Sequence, residues 1–219
     1  MDFENARFNL VEQQIRPWDV LDPKVLDLLF HVKREDFVPD DKRTLAFVDT
    51  ELPLINGHKM LQPKVEARLV QDLGLKPEDK VLEIGTGSGH VTALLASLSR
   101  HVYSVDLDPV MKEMAAKNLK KAGISNATLV EGNGVDGYAA QAPFDAILVG
   151  GSLPVVPDSL KQQLAVGGRM ILVVGDEPVM TTKLIERESE TVFRETNLFE
   201  ICIPRLAHSE AVEPERFSF

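Results

Sequence analysis

The chain predicts an α/β fold with a largely parallel sheet, and three features of the sequence lead there. Apolar runs of strand length recur from Lys80 onward, separated by helix-length segments; this is the spacing that parallel strands joined by right-handed crossovers require. The first run, residues 81–84, passes directly into Gly85-Thr86-Gly87-Ser88-Gly89, with glycine at every second position just before a helical pattern. An apolar content of 44% over 219 residues suffices for one sizeable core, near the usual domain range of about 100–200 residues.

Taken in order, residues 3–16 carry Phe3, Ala6, Leu10 and Ile15 among polar neighbours. This helical periodicity stops before Arg16-Pro17, since the residue preceding a proline is pushed out of the helical region. Asp22-Pro23 combines a cap with a first-turn proline and starts a second helix that presents Val25, Leu26, Leu29 and Val32 to a core. Residues 34–63 lose periodicity, and a loop of that length in a compact chain is usually functional. Pro63 opens a third helix to about Leu73. Strands are predicted over 80–84, 101–106, 127–131, 144–149 and 169–174, with helices over 91–98 and 109–122, the latter capped by Asp108. Gly167-Gly168 reads as a helix end. Residues 181–188 and 191–203 read as a terminal hairpin with Cys202 buried in its second strand, and Glu210 to Glu215 as a solvated tail. The expected organisation is a single domain, with residues 1–76 as a helical extension and loop and residues 77–219 as the sheet-bearing core.

Composition narrows the function. A formal net charge of -10 argues against general nucleic-acid binding, which relies on basic surface to neutralise phosphates. One cysteine excludes an intramolecular disulfide framework and a cysteine-rich metal site; no metal is expected, and a cytoplasmic location is. The first residues lack a basic segment followed by an apolar one, and no stretch approaches the ~18 apolar residues of a membrane span. Neither export nor membrane insertion is expected.

Alternating glycines allow positive φ and let a ligand approach the backbone without a Cβ in the way. The dinucleotide fingerprint G-x-G-x-x-G would place its third glycine at position 90, which is His90. Glu83-x-Gly85-x-Gly87-x-Gly89 instead resembles the S-adenosylmethionine loop of class I methyltransferases. Ligands in open α/β sheets lie outside the carboxyl ends of the strands, and three further strand ends carry suitable groups. Asp106, 21 residues after Gly85, suits two ribose hydroxyls. Leu107 follows it. Asn133 and Gly134 offer an amide and open space to an adenine edge, and Gly150-Gly151 leave room above the fourth strand. Methyl transfer from a sulfonium requires chiefly an aimed, dehydrated nucleophile. A carboxylate, with a reference pKa of about 4, needs no base.

Several segments together make the chain similar to protein-L-isoaspartate O-methyltransferases. They are Val32-Lys33-Arg34-Glu35-Asp36-Phe37-Val38, Leu52-Pro53-Leu54, Gln62-Pro63, the glycine turn, Ala142-Pro143-Phe144-Asp145-Ala146-Ile147 and Ile203-Pro204-Arg205-Leu206. The resemblance implies a Rossmann-like, seven-stranded sheet with helices on both faces and an N-terminal extension over the site. It also implies S-adenosyl-L-methionine as cofactor and methylation of the free carboxylate of isoaspartyl residues in damaged proteins. The cofactor residues would be Glu83, Gly85, Thr86, Gly87, Ser88, Gly89, Asp106, Leu107, Asn133 and Gly134.

The substrate loop departs from the family. Where the family ends Gly-Gln-Thr-Ile-Ser, this chain has Gly57-His58-Lys59-Met60-Leu61, so the serine that receives the substrate carboxylate is Leu61 and the threonine is Lys59. Lys59 and His58 are the candidate catalytic replacements, with Met60, Leu61, Gly150 and Gly151 around the acceptor. The departure keeps two alternatives open: a different, small-molecule acceptor, or a non-catalytic S-adenosylmethionine-binding protein. His90 is expected to pack, and Trp18 to act as a lid or pack against its own extension.

Overall fold

The computed structural model describes residues 1–212. It begins with α1, Phe3–Leu10, whose first N–H groups are held by the side chain of Asp2. The path then widens into a π turn, Val11–Ile15, and tightens into a 3-10 turn, Arg16–Trp18. The single helix expected over 3–16 is therefore three successive helical forms. Leu10 and Ile15 are five positions apart, and the wider turn returns both to the buried side. Helix α2, Pro23–His31, starts at Asp22 as predicted and buries Val25, Leu26 and Leu29. Its entry is fixed by Gln71, whose side-chain oxygen accepts from the N–H groups of Leu21 and Asp22 at 2.6 and 2.9 Å. Residues 34–63 hold 3-10 turns at Arg34–Asp36 and Asp40–Phe47 and a short antiparallel ribbon of β1, Leu52–Pro53, and β2, Lys59–Met60. Helix α3, Pro63–Leu73, closes the extension.

The core is a seven-stranded sheet made of β3 (Lys80–Ile84), β4 (His101–Asp106), β5 (Ala127–Glu131), β6 (Phe144–Leu153), β7 (Leu164–Asp176), β8 (Val179–Arg187) and β9 (Phe193–Glu200). Their order is β5-β4-β3-β6-β7-β8-β9. Pairing is parallel from β5 to β7 and antiparallel across β7, β8 and β9. Helices α4, His90–Leu98, and α5, Pro109–Lys121, make the first crossovers, and α6, Asp158–Gln162, precedes β7. The central strands are buried on both faces, which is why they read as continuous apolar runs. Along β3, Val81 joins the core beneath α3, α4 and α5, while Leu82 and Ile84 join the core on the opposite face. By the same alternation Glu83 points toward α4.

Four expectations need correction. Strand β6 continues past Val149 to Leu153, so Gly150 and Gly151 are strand residues. Strand β7 starts at Leu164 and contains Gly167-Gly168; a Cβ at Gly168 would lie 2.9–3.0 Å from the carbonyls of Ala165, Asp145 and Phe144, so close strand packing, not a helix end, explains that glycine. Cys202 lies beyond β9 and is exposed, with Sγ directed at the carbonyl of Pro178, because β9 ends at Glu200. Trp18 packs edge-on against Phe199 of β9, ring centroids 6.0 Å apart, beneath the ammonium of Lys64; it is neither a lid nor confined to its own extension. Of the acidic tail, Glu210 is exposed, and residues 213–215 lie outside the described residues.

Gly89 joins the glycine turn to α4 with φ +83°, and a Cβ there would sit 3.1 Å from the Cβ and 3.2 Å from the Cα of Ala115 on α5. Gly89→Ala combines left-handed strain of roughly 1–2 kcal/mol with overpacking of about 1–3 kcal/mol. Urea unfolding should show a loss of about 2–4 kcal/mol; a loss below about 0.5 kcal/mol, the usual surface value, would contradict the packing described.

Candidate functional site

The strand order reverses between β3 and β6, since the chain moves outward from β3 through β4 to β5 and then returns to β6. At this point the carboxyl ends splay, and a cleft of about 330 Å³ opens, within the range of small-ligand sites. Its floor is Ile84, Gly85, Gly87, Val105, Asp106 and Leu107, one wall is Asn133, Gly134, Gly150 and Gly151, and its roof is the 56–61 loop with residues 204–207.

The glycine turn owes its shape to backbone freedom: Gly85 and Gly87 have φ +90° and +52°, conformations that carry a steric penalty for other residues. The Gly87 N–H donates to Asp106 Oδ2 at 2.9 Å, and the Asp108 N–H donates to Oδ1 at 3.0 Å. Each Asp106 oxygen thus receives one backbone donor and keeps a lone pair for the cleft. Asp108 caps α5 through the Val110 N–H at 2.8 Å, which leaves Asp106 to the cleft as its position predicts. Asn133 Oδ1 accepts from the Val135 N–H at 3.1 Å, so its amide is held by its own loop. Gly134 is required by proximity, because a Cβ there would meet Ile84 Cγ2 at 2.6 Å.

Behind the turn lies a smaller chamber of about 40 Å³ lined by Glu66, Glu83, Thr86, Ser88 and His90 and sharing Lys59, Leu61, Gly85, Gly87 and Gly150 with the cleft. Glu83 is fully buried. Its Oε2 accepts from the hydroxyls of Thr92 and Ser104, and the latter lies 2.6 Å from Thr86 Oγ1. Its Oε1 has no hydrogen-bond partner. Burial, offset by those two hydroxyls, pushes the Glu83 carboxyl up to about 8.

The roof hangs from polar contacts. Asp108 Oδ2 accepts from Asn56 Nδ2 at 2.9 Å and lies 3.1 Å from His58 Nε2. These bonds, with the Val110 N–H, hold the Asp108 carboxyl below its usual range, Asn56 contributing most. The Lys59 ammonium donates to Glu51 Oε2 at 2.8 Å, and this bond raises its pKa. Leu61 is buried and its carbonyl accepts from the Arg34 guanidinium at 2.8 Å.

The structure therefore places His58, Lys59, Leu61, Gly85, Gly87, Asp106, Leu107, Asn133, Gly134, Gly150 and Gly151 on the cleft, and Met60, Glu83, Thr86 and Ser88 on the rear chamber. Gly89 lines neither and serves as the α4 cap. Sequence reasoning missed Asn56 and residues 204–207 as lining. The latter arrive because the Ser152 N–H donates to the Pro204 carbonyl at 2.9 Å and the Leu206 N–H to the Ser152 carbonyl at 3.0 Å. The segment Ile203 to Leu206 was visible as a motif, but its pairing with β6 has no local signal. His90 packs, as expected, and also lines the rear chamber. Among the described residues no helix is long and apolar enough to cross a membrane, and no group of three or more His, Cys, Asp or Glu is placed to hold a metal ion.

Comparison with known proteins agrees with this geometry. The family model described as Protein-L-isoaspartate(D-aspartate) O-methyltransferase (PCMT) matches residues 5–207. The protein-L-isoaspartate O-methyltransferase of a Roseiflexus species is 35% identical over 217 residues, 99% of each chain. The protein-L-isoaspartate O-methyltransferase 2 of Marinobacter nauticus is 40% identical over 176 residues, 80% of each chain. Among solved structures, a Plasmodium falciparum protein-L-isoaspartate O-methyltransferase in complex with S-adenosyl-L-homocysteine shares the fold, with a TM-score of 0.77 at 21% identity over 94% of this chain and 98% of that one. With a match across nearly its whole length and a floor built on the glycine turn and Asp106, the chain belongs to the protein-L-isoaspartate(D-aspartate) O-methyltransferase family.

Proposed function

We propose that this chain transfers a methyl group from S-adenosyl-L-methionine to the free carboxylate of isoaspartyl residues in proteins and peptides, a step in the repair of damaged protein. Family membership carries the reaction, and the cleft at the β3–β6 reversal supports the cofactor. The residues present fit that group. Asp106 retains acceptor capacity for two ribose hydroxyls, Asn133 and Gly134 suit an adenine edge, and Ile84, Val105 and Leu107 offer apolar contact. The unpartnered Oε1 of Glu83 in the rear chamber suits an ammonium. When bound, S-adenosylmethionine supplies a methyl group on a sulfonium, an electrophile that a carboxylate attacks without a base. The chain's part is to hold the acceptor in line and keep water away. The protein is read as one working unit, residues 1–76 roofing the core of residues 77–219, acting in the cytoplasm.

With Leu61 buried where the family has its serine, Lys59 is the cation that receives the substrate carboxylate, exchanging Glu51 for it, and His58 holds the roof through Asp108. The apolar side chains of Met60 and Leu61 support a second reading, an acceptor other than isoaspartate. Incubation with an isoaspartyl peptide and labelled S-adenosylmethionine decides between them: a base-labile methyl ester on the peptide supports the first reading, and label only on other acceptors supports the second.

Three outcomes follow. Asp106→Ala should weaken S-adenosylhomocysteine binding by roughly ten- to a hundred-fold in calorimetry, the range for a lost hydrogen bond to a charged group; unchanged affinity would remove Asp106 from the site. Lys59→Met should lower kcat/KM for the isoaspartyl peptide by roughly ten-fold while leaving affinity for S-adenosylhomocysteine intact, and equal kcat/KM would discard its role. Glu83 makes stability depend on pH. Its folded pKa of about 8 lies above the reference value of 4.5, so its contribution is fully present below about pH 4.5 and lost as pH rises through about 8. The stability difference between wild type and Glu83→Gln should fall by a few kcal/mol across that window and stay level outside it; a flat difference throughout would show that Glu83 is ionised in the fold.

A further inference from the structure

A third cavity lies away from the cofactor cleft, where the N-terminal extension meets the start of α4. Its apolar walls come from Leu10, Val11, Ile15 and Phe47 among others, yet Arg7, Arg34, Glu35 and His90 also line it. The four polar side chains are buried and tied in pairs: Arg7 to Glu35, Arg34 to Glu66, and His90 Nδ1 to Glu66 Oε2 at 2.8 Å. Each of the four lining residues also carries one buried polar atom without a hydrogen-bond partner: Arg7 Nε, Arg34 Nε, Glu35 Oε2 and His90 Nε2. The centre of a water-sized sphere can range over about 10 Å³ here, which is room for about one water.

We infer that this cavity is a binding site for a single sequestered water molecule. The donor inventory selects it. Guanidinium nitrogens only donate, an ionised carboxylate only accepts, and an imidazole nitrogen does either according to its tautomer. A chloride would face the Glu35 carboxylate, and a cation would face two guanidinium groups. Water alone among these accepts twice and donates twice: it accepts from Arg7 Nε–H and Arg34 Nε–H and donates to Glu35 Oε2 and His90 Nε2. The assignment fixes the histidine. An Nε2–H would give the water three donors and one acceptor, leaving one of its hydrogens without a partner, so His90 carries its proton on Nδ1 and donates it to Glu66. The formal charges of Arg7, Arg34, Glu35 and Glu66 then cancel around a neutral ring.

The water joins three pieces of chain that are remote in sequence: α1 through Arg7, the 34–36 turn, and the first residue of α4, which directly follows the glycine turn. Seating of the extension is thereby felt at the helix that directly follows the glycine turn.

Two measurements on the unaltered, ligand-free protein test the site, and neither involves methyl transfer, so they stand or fall apart from the proposed reaction. A crystal structure that resolves ordered water should show one peak within hydrogen-bond distance of all four atoms; a dry cavity overturns the proposal. Long-range proton–nitrogen correlation spectra of ¹⁵N-histidine-labelled protein should show His90 as the Nδ1–H tautomer; the Nε2–H tautomer overturns it. The coupling is read by hydrogen exchange. In His90→Phe, which keeps the ring against Phe37, the amides of residues 3–15 should exchange about ten-fold faster, and His90→Gln, which restores an acceptor and a donor, should recover most of the protection. Wild-type exchange in His90→Phe would overturn the coupling.

Discussion

The site depends on how closely β3 and β6 approach where the strand order reverses. A Cβ at Gly150 would lie 3.0 Å from the carbonyl oxygen of Gly85 and 3.1 Å from that of Ile84, so these backbones meet with nothing between them. Gly85 can then turn with φ +90° and send the chain under the cleft instead of across it. Gly151 repeats the constraint one residue on, since its Cβ would fall 3.1 Å from the backbone of Leu206. The backbone around Leu206 comes close there. The acceptor side is therefore shaped as much by main chain as by side chains.

The extension is attached to this floor from behind as well as at its rim, where Asp108 holds Asn56 and His58. Glu66 on α3 accepts from Arg34 and from the ring of His90, and the same Arg34 holds the carbonyl of Leu61. One carboxylate thus links the acceptor loop, α3 and α4. Removing one member of such a buried ionic group leaves the others unpaired, which costs more than the group contributes when complete. This gives the cluster a specifying role: it fixes where the loop carrying Lys59 meets the cleft.

Much of the fold was legible in the sequence for physical reasons that also mark the limits. Strands β3 and β6 were readable because burial on both faces makes them largely apolar, and α2 and α5 because Asp22-Pro23 and Asp108-Pro109 encode their starts locally. The extension of β6 through Gly150 was hidden, since glycine weakens a strand pattern and only the neighbouring β3 explains its presence. The change from α to π turn near Val11 was likewise hidden, because side-chain periodicity does not report hydrogen-bond register. Within the site, residues at strand ends were found by topology. Glu66 and His90, 24 residues apart in sequence, were not paired, because a contact between α3 and α4 leaves no local pattern.

Replacement of a hydroxyl by an ammonium changes what the acceptor loop can do. A threonine hydroxyl is short and is held by the backbone it grows from, whereas Lys59 reaches its place on a flexible stem and is already paired with Glu51. That pair is half-exposed on the lysine side, and exposed ion pairs are screened and weak. Under the proposed role of Lys59, exchanging Glu51 for a substrate carboxylate is close to an even trade of one anion for another, and it adds little to affinity. The rate must come instead from alignment: attack on a sulfonium methyl is favoured when acceptor and methyl are held in line and dry. Buried Leu61 and Met60 supply the dry wall, and the rear cluster fixes the loop that carries it. Under the proposed role, the loop contributes shape and exclusion of water beside the Lys59 ammonium.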